Sequence, residues 1–536
     1  MRKLEIFDST LRDGAQGEGI SFSLEDKLKI LAALDSFGID FVEAGNPGSN
    51  PKDLEFFKQA GKLGLKTKLV SFGSTKRKEI PPEEDGNLKA LLTANTEYIA
   101  IFGKSWDLHV DKILRVSHAE NLDMIEQTIK YLTDSGKKVI FDAEHFFDGY
   151  KHNPDYAAET LKAAERAGAV TLCLCDTNGG RFPDEIDKII HSVNSQVNTP
   201  LGIHCHNDNG CGVANSMAAV SAGAVQVQGT FIGIGERTGN ANLAVLIANL
   251  QLKLGYSCVP AESLPLLKET AHFIAETANI ALPNSMPYVG SSAFAHKGGM
   301  HVDGVLKDPA TFEHITPASV GNERNFLLSE VSGRAVTFAK LEKIIPGLQK
   351  TDPLVQTLTT KIKELEHQGY QFEAADASFE LLVQKELGQF QPYFEIIDFK
   401  IISSHYSHLL NRASALIKVR VGGEHEITAD EGDGPVNAID KALRKALERF
   451  YPALSNMRLA DFKVRIVGGS EFDADVGRNT AATTRVLIES TDGKTSWTTV
   501  GASKDIINAS MTALLDSLEY MLYNNREQNF NYSKSC

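Results

Sequence analysis

From Lys3 to about Leu254 the chain alternates short runs rich in β-branched and aromatic residues with longer segments whose apolar residues recur every three to four positions. The first pattern belongs to strands and the second to amphipathic helices. Strands are predicted at 4–9, 41–44, 67–72, 98–102, 138–143, 171–175, 202–206 and 225–231. Helical segments such as 24–37, 124–135, 156–167 and 214–222 lie between them. Gly38, Gly136, Gly168 and Gly223 stand where helix ends favour a residue that tolerates left-handed backbone. Eight βα units predict an α/β fold of the closed (β/α)8 TIM-barrel type over residues 1–270.

The rhythm breaks between about Gly255 and Ala377, which reads as a helical linker region, placed at 271–380, without a full core of its own. It contains Ala295-His296-Lys297-Gly298-Gly299-Met300-His301-Val302-Asp303-Gly304 and a helix-rich stretch at 334–365. Beyond Ser378 the chain repeats itself. Asp398-Phe399-Lys400-Ile401 returns as Asp461-Phe462-Lys463-Val464, and Leu416-Ile417 with Gly422 returns as Leu487-Ile488 with Gly493. Val436-Asn437-Ala438 with Ala442-Leu443 returns as Ile507-Asn508-Ala509 with Ala513-Leu514, again 71 residues on, the separation of Leu416 from Leu487. Two copies of a strands-then-helix module follow, giving an α+β domain at 381–536 that either dimerises or senses a ligand.

In a TIM barrel the chemistry gathers at the carboxyl ends of the strands. Those ends here carry Asp8-Ser9-Thr10-Leu11-Arg12-Asp13-Gly14-Ala15-Gln16, Glu43-Ala44-Gly45-Asn46, Asp142-Ala143-Glu144-His145, Asp176-Thr177-Asn178-Gly179-Gly180 and Gly233-Ile234-Gly235-Glu236-Arg237-Thr238-Gly239-Asn240. Strand 202–206 itself contributes His204 and His206, two residues apart and therefore on one side. Polar residues scattered at random would fall on both rims.

Asp13, His204, His206 and Asn240 offer two imidazole nitrogens, a carboxylate oxygen and an amide oxygen. That mixed set suits a catalytic Zn, Mn, Mg or Co ion. Asp13 has a second reading as a turn or helix cap. Arg12 either stabilises negative charge building on an oxygen or closes a salt bridge within the barrel, for example to Glu43. Glu144 stays open between a base, an orienting partner and an ion pair. His301 either swings over the barrel mouth or is a surface histidine. Gly233-x-Gly235 with Gly239 fails as a dinucleotide fingerprint, because it closes the last unit, its third glycine comes one residue late, and no ribose-binding acid follows about 20 residues on.

A formal net charge of -14 argues against nucleic acid and anionic membranes as partners, while leaving room for a small anion in a local positive pocket. No apolar run has the length of a signal peptide or membrane span, so the chain reads as cytoplasmic. Cys173, Cys175, Cys205, Cys211, Cys258 and Cys536 lack paired zinc or redox spacing and read as reduced, mostly buried thiols.

Taken together, the Asp8–Gln16 segment, the His204/His206 strand and Gly235-Glu236-Arg237-Thr238-Gly239-Asn240 resemble the 2-isopropylmalate synthase, homocitrate synthase and citramalate synthase family. Ser49-Asn50-Pro51-Lys52-Asp53, Asp142–Tyr150 and His296–His301 look most like its citramalate-forming branch. The resemblance spans essentially the whole chain, including a linker and a C-terminal allosteric domain of two βββα halves. It implies a Claisen-type condensation of acetyl-CoA with pyruvate and water to give (R)-citramalate and CoA, on a route to isoleucine, with isoleucine as effector. It implies metal ligands at Asp13, His204, His206 and Asn240, and a substrate-carboxylate contact at Thr177. Arg12 would steady the oxyanion, and Glu144 and His301 would take part in deprotonating the acetyl methyl group. His301 would come from the partner subunit of a homodimer. Phe312 stands in a Thr311-Phe312-Glu313 run where the family often has tyrosine.

Three rival readings remain at this stage. The first is a 2-isopropylmalate synthase taking a larger 2-oxo acid in the same site. A lyase cleaving a 3-hydroxy-3-methyl acyl-CoA would leave the repeated module superfluous. The third is a non-catalytic amino-acid sensor, against which the intact Arg12, Asp13, His204 and His206 argue.

Overall fold

All eight predicted runs become parallel strands in the computed structural model, which describes residues 2–328, 333–404, 412–467 and 482–525. They are β1 (Glu5–Asp8), β2 (Phe41–Glu43), β3 (Lys68–Ser74), β4 (Tyr98–Lys104), β5 (Lys138–Glu144), β6 (Thr171–Asp176), β7 (Leu201–Cys205) and β8 (Gln226–Gly229). Glu5 to Asp8 pair with Gln226 to Gly229, which closes the barrel. Alternate residues then divide between two cores. Ile6, Val42, Ile99, Val139, Leu172, Ile203 and Val227 join the large cluster formed with the helices. Phe7, Phe41, Val70, Tyr98, Ala100, Ile140 and Cys173 form a separate cluster that fills the barrel. The period of two that identified the strands therefore also decides which polar residues face inward.

Local chemistry fixes the helices between them. Ser23 accepts from the Asp26 amide and Asp26 returns the bond, a capping box worth about 1 kcal/mol. Proline occupies the first turn of Pro51–Ala60, Pro154–Arg166 and Pro183–Asn194, where its missing N–H has no helical partner to lose. Gly38, Gly136, Gly168 and Gly223 all have positive φ, as their places after helices require.

The chain divides into two compact units, Met1–Phe294 with Ile315–Arg324, and Ala295–His314 with Asn325–Cys536. The stretch read as a linker shares a core with the C-terminal module. Helices Gly299–Lys307, Arg334–Ile344 and Pro353–His367 bury Val302, Val305, Val336, Leu341, Val355, Leu358 and Ile362 together with Phe379 and Val500 of the C-terminal module. The linker's own apolar faces are visible in the sequence, but Val500 lies more than a hundred residues beyond them.

The repeat folds as expected, with β9 (Glu395–Ser404), β10 (Arg412–Val421) and β11 (Glu424–Gly432) followed by a helix at Pro435–Leu447. The second copy is β12 (Arg458–Ile466), β13 (Thr484–Thr491) and β14 (Ser496–Ser503), followed by Ile506–Asn524. Both three-stranded sheets are antiparallel. The likeness extends to detail: register shifts fall at Ile396/Asp398 and Leu459/Asp461. Thr428 and Thr499 each donate to a helix carbonyl, Ala442 and Ala513, at 2.7 Å. No helix among the described residues is long and apolar enough to cross a membrane. Cys173, Cys175, Cys205 and Cys258 are buried and Cys211 half-buried; Cys536 lies outside the described residues.

On the last helix, Glu519 accepts the Tyr393 amide at 3.2 Å, and burial pushes its carboxyl up to about 7. The folded chain keeps a proton that the unfolded glutamate releases above 4.5. Stability from this site is therefore complete below 4.5 and lost as pH rises toward 7. Glu519→Gln is expected to match the native chain in urea unfolding at low pH. In mildly alkaline buffer it should exceed it by about 1–3 kcal/mol.

Candidate metal centre and active site

Strand β7 delivers His204 inward, and the chain just beyond it delivers His206. The turn after β1 delivers Asp13. One Asp13 carboxylate oxygen, Oδ2, lies 3.7 Å from Nε2 of His204 and 3.9 Å from Nε2 of His206. Asp13 occupies the N-cap of the short helix Gly14–Gln16 but makes no side-chain capping bond. The capping alternative is thus excluded by geometry. Burial alone would raise this carboxyl. The Arg12 guanidinium, both imidazoles and the Asn240 amide outweigh it and hold Asp13 well below the ordinary carboxylate range. Burial, with His206 beside it, pushes His204 down to about 3, and burial lowers His206 as well. Both rings are therefore neutral, the form that offers a lone pair.

Asn240 arrives on a loop that only glycines can form. Gly235 has φ 155° and Gly239 φ 88°. A β-carbon at Gly239 would collide with the Gly233 carbonyl, and one at Gly235 with the Asn240 amide nitrogen. The glycines that failed as a nucleotide fingerprint thus shape the approach of Asn240, which bridges to His206. Its Nδ2 donates to Asp13 Oδ1 at 2.9 Å and to the Ile234 carbonyl at 3.2 Å. Asn240 Oδ1 and His206 Nδ1 are buried without a hydrogen-bond partner. Two imidazoles, a carboxylate and the unsatisfied Asn240 Oδ1 make a donor set that fits a divalent metal ion.

Of its two readings Arg12 realises the salt bridge within the barrel, while its side chain lines the cavity at the mouth. Its Nε donates to Glu43 Oε2 at 2.5 Å, its NH1 donates to Asp13 Oδ2 at 3.0 Å, and its guanidinium lies 3.8 Å from the Phe72 ring centre. Ser9 donates to the same Glu43 oxygen. Glu144 pairs with Lys104, so its ion-pair reading is realised too, yet it lines the same cavity. Thr177 also lines it, and its hydroxyl accepts the His145 amide at 2.9 Å. The cavity is about 230 Å³, with Arg12, Asp13, Gln16, Asp142, His204, His206 and Glu236 on its polar side and Phe72, Phe102 and Cys175 on its apolar side. His301 belongs to the second compact unit, where its exposed ring stacks on Phe312 at 4.2 Å.

A second close group, Asp142 with Cys173 and Cys175, is wholly buried. Burial drives the Cys173 thiol far up and lifts Asp142 to about 7, so Cys173 packs the barrel interior, while Cys175 packs there and also lines the cavity. Lys104 escaped the sequence reading because β4 was expected to stop at 102, whereas it runs on to Lys104. Gln228 escaped because a glutamine on a predicted strand carries no sign of facing inward; its signal lay in the alternation that also buries Gln226.

A closed βα barrel with an Asp–His–His donor set and a half-buried arginine at its mouth defines a barrel enzyme with a site that fits a divalent metal. Residues 3–269 match the HMGL-like family, 288–370 the homocitrate synthase post-HMGL domain-like family, and 373–522 the LeuA allosteric (dimerisation) domain. The chain is 48% identical to an (R)-citramalate synthase of Geobacter sulfurreducens over 98% of this chain and 99% of that protein. It is 50% identical to an (R)-citramalate synthase of Aquifex aeolicus, again over 98% of this chain and 99% of the relative. A probable 2-isopropylmalate synthase of Methanosarcina acetivorans is 32% identical over 97% of this chain and 96% of its own length. The chain belongs to the (R)-citramalate synthase family.

Because a side chain at 235 would displace Asn240 and lie 3.1 Å from Asp13 Oδ1, Gly235→Ala should weaken Mn²⁺ binding to the full chain by at least about tenfold. Isothermal titration measures this, and an unchanged circular dichroism spectrum separates it from unfolding.

Proposed function

We propose that this protein condenses acetyl-CoA with pyruvate and water to form (R)-citramalate and CoA, in the branch of metabolism that leads to isoleucine. The convergence of Arg12, Asp13, His204 and His206 on one cavity carries the reading. Full-length similarity to (R)-citramalate synthases supports it, and the 2-isopropylmalate synthase relative is more distant.

Asp13, His204 and His206 would hold the divalent ion, with Asn240 as a fourth donor. When bound, that ion supplies Lewis acidity to a chelating 2-oxo acid. Thr177 would receive the pyruvate carboxylate. Glu144, held by Lys104, and His301 of the partner subunit would together remove a proton from the acetyl methyl group. The methyl carbon then forms the new bond to the keto carbon, the carbonyl electron pair moves onto oxygen, and that oxygen takes up a proton to become the product hydroxyl. Arg12, anchored by Glu43, would face that developing charge with little reorganisation. Water then adds to the thioester carbonyl, the carbon–sulfur bond breaks, and the thiolate leaves to take up a proton. The stacked Phe72 and Phe102 rings, 5.2 Å apart, fill the side of the cavity and favour a small 2-oxo acid.

The repeated module would pair two chains as a homodimer and bind isoleucine as feedback inhibitor, a reading supported by its match to an allosteric dimerisation domain. Thiol release from acetyl-CoA, measured across a panel of 2-oxo acids, tests the reaction and the substrate at once. Pyruvate should give the highest kcat/KM. His204→Ala should abolish both turnover and metal binding; thiol release only with branched 2-oxo acids would refute the assignment. On the full chain, thiol release should fall as isoleucine is added, and turnover indifferent to isoleucine would refute the regulatory role.

A further inference from the structure

The two imidazoles of the metal centre are supported unequally. His206 Nδ1 is buried with no hydrogen-bond partner. His204 Nδ1 lies 3.2 Å from Oε1 of Gln228, a fully buried residue. On its other side, Gln228 Nε2 donates to Asp142 Oδ1 at 3.1 Å. The three residues come from three strands, β5, β7 and β8, and the pairing of β7 with β8 sets His204 directly beside Gln228. A slip of one residue in that pairing would turn the glutamine away from the barrel interior.

The orientation of the amide follows from what each end meets. Gln228 Nε2 lies against Asp142 Oδ1 and Oε1 against the imidazole, so the NH₂ end of the glutamine faces Asp142 and the carbonyl end faces His204. A carbonyl oxygen cannot donate. The nitrogen opposite it, Nδ1 of His204, must therefore carry the ring hydrogen. This leaves the lone pair on Nε2, the atom that faces Asp13 at 3.7 Å.

We propose that Gln228, held by Asp142, is a positioning residue that fixes the tautomer and ring orientation of His204 and so prepares the centre to bind a divalent ion. The inference rests on the metal-site reading above. It is distinct from simple filling of the barrel interior, because it assigns the effect to one accepting oxygen and not to side-chain volume.

Two variants separate these roles. Gln228→Met keeps the volume and loses both hydrogen bonds. Gln228→Glu keeps the accepting oxygen beside Nδ1. With the metal-stripped full chain titrated with Mn²⁺ and followed by electron paramagnetic resonance, Gln228→Met should weaken binding by about ten- to a hundredfold. Gln228→Glu should stay within about threefold of native, well short of that loss. Unchanged affinity in Gln228→Met, or an equal loss in both variants, would overturn the proposal. An independent test uses the native sequence. In ¹⁵N-histidine-labelled, metal-free protein, the resonance missing from His204→Ala should show hydrogen on Nδ1, and hydrogen on Nε2 would overturn the proposal. Failure of native protein to bind Mn²⁺ would overturn the metal-site reading itself, whereas native binding with an unaffected Gln228→Met removes only the role of the glutamine.

Discussion

One carboxylate facing two neutral imidazoles, all nearly sealed from water, is the constraint around which the barrel mouth is arranged. An isolated carboxylate in such a place would be strongly disfavoured and would take up a proton. Arg12 prevents that, but a buried guanidinium needs its own counter-charge, which Glu43 supplies with Ser9 as a further donor. Burial raises the Glu43 carboxyl, and the same Arg12 pulls the other way without cancelling it. The result is a chain of mutually dependent charges from β2 through the turn after β1 to β7.

The fold makes this arrangement possible because eight strand ends converge on one rim. Alternation along each strand sends apolar residues outward to the helices and admits a few polar ones to the interior. At the last unit a glycine loop makes room for Asn240, and a buried glutamine on β8 faces the histidine of β7. Stability and function are therefore tied to the same strand register. The C-terminal half follows a different plan, in which one module is used twice, with matching register shifts and matching threonine-to-helix hydrogen bonds.

Much was legible from the residue order. The period-two runs located every barrel strand, and the His204/His206 spacing identified the side they share. The repeated Asp-Phe-Lys and Asn-Ala segments announced the doubled module. The alternatives left open at Asp13, Arg12 and Glu144 could not be closed in the same way. A capping aspartate and a ligand aspartate look identical until the side chain is seen to ignore the nearby amides and turn to two imidazoles. Arg12 and Glu144 each proved to hold an ion pair while also lining the cavity.

What the sequence determined by itself is what short-range physics controls: strand and helix periods, helix ends, the duplicated module and the residue types available at the rim. Only the tertiary structure decided the partners. Glu43 under Arg12, Lys104 against Glu144, Gln228 between His204 and Asp142, and the linker helices around Phe379 and Val500 all join segments distant in the chain. Hydrogen bonds, ion pairs and close packing act over a few ångströms of space, and separation along the chain says little about that distance until the barrel has closed.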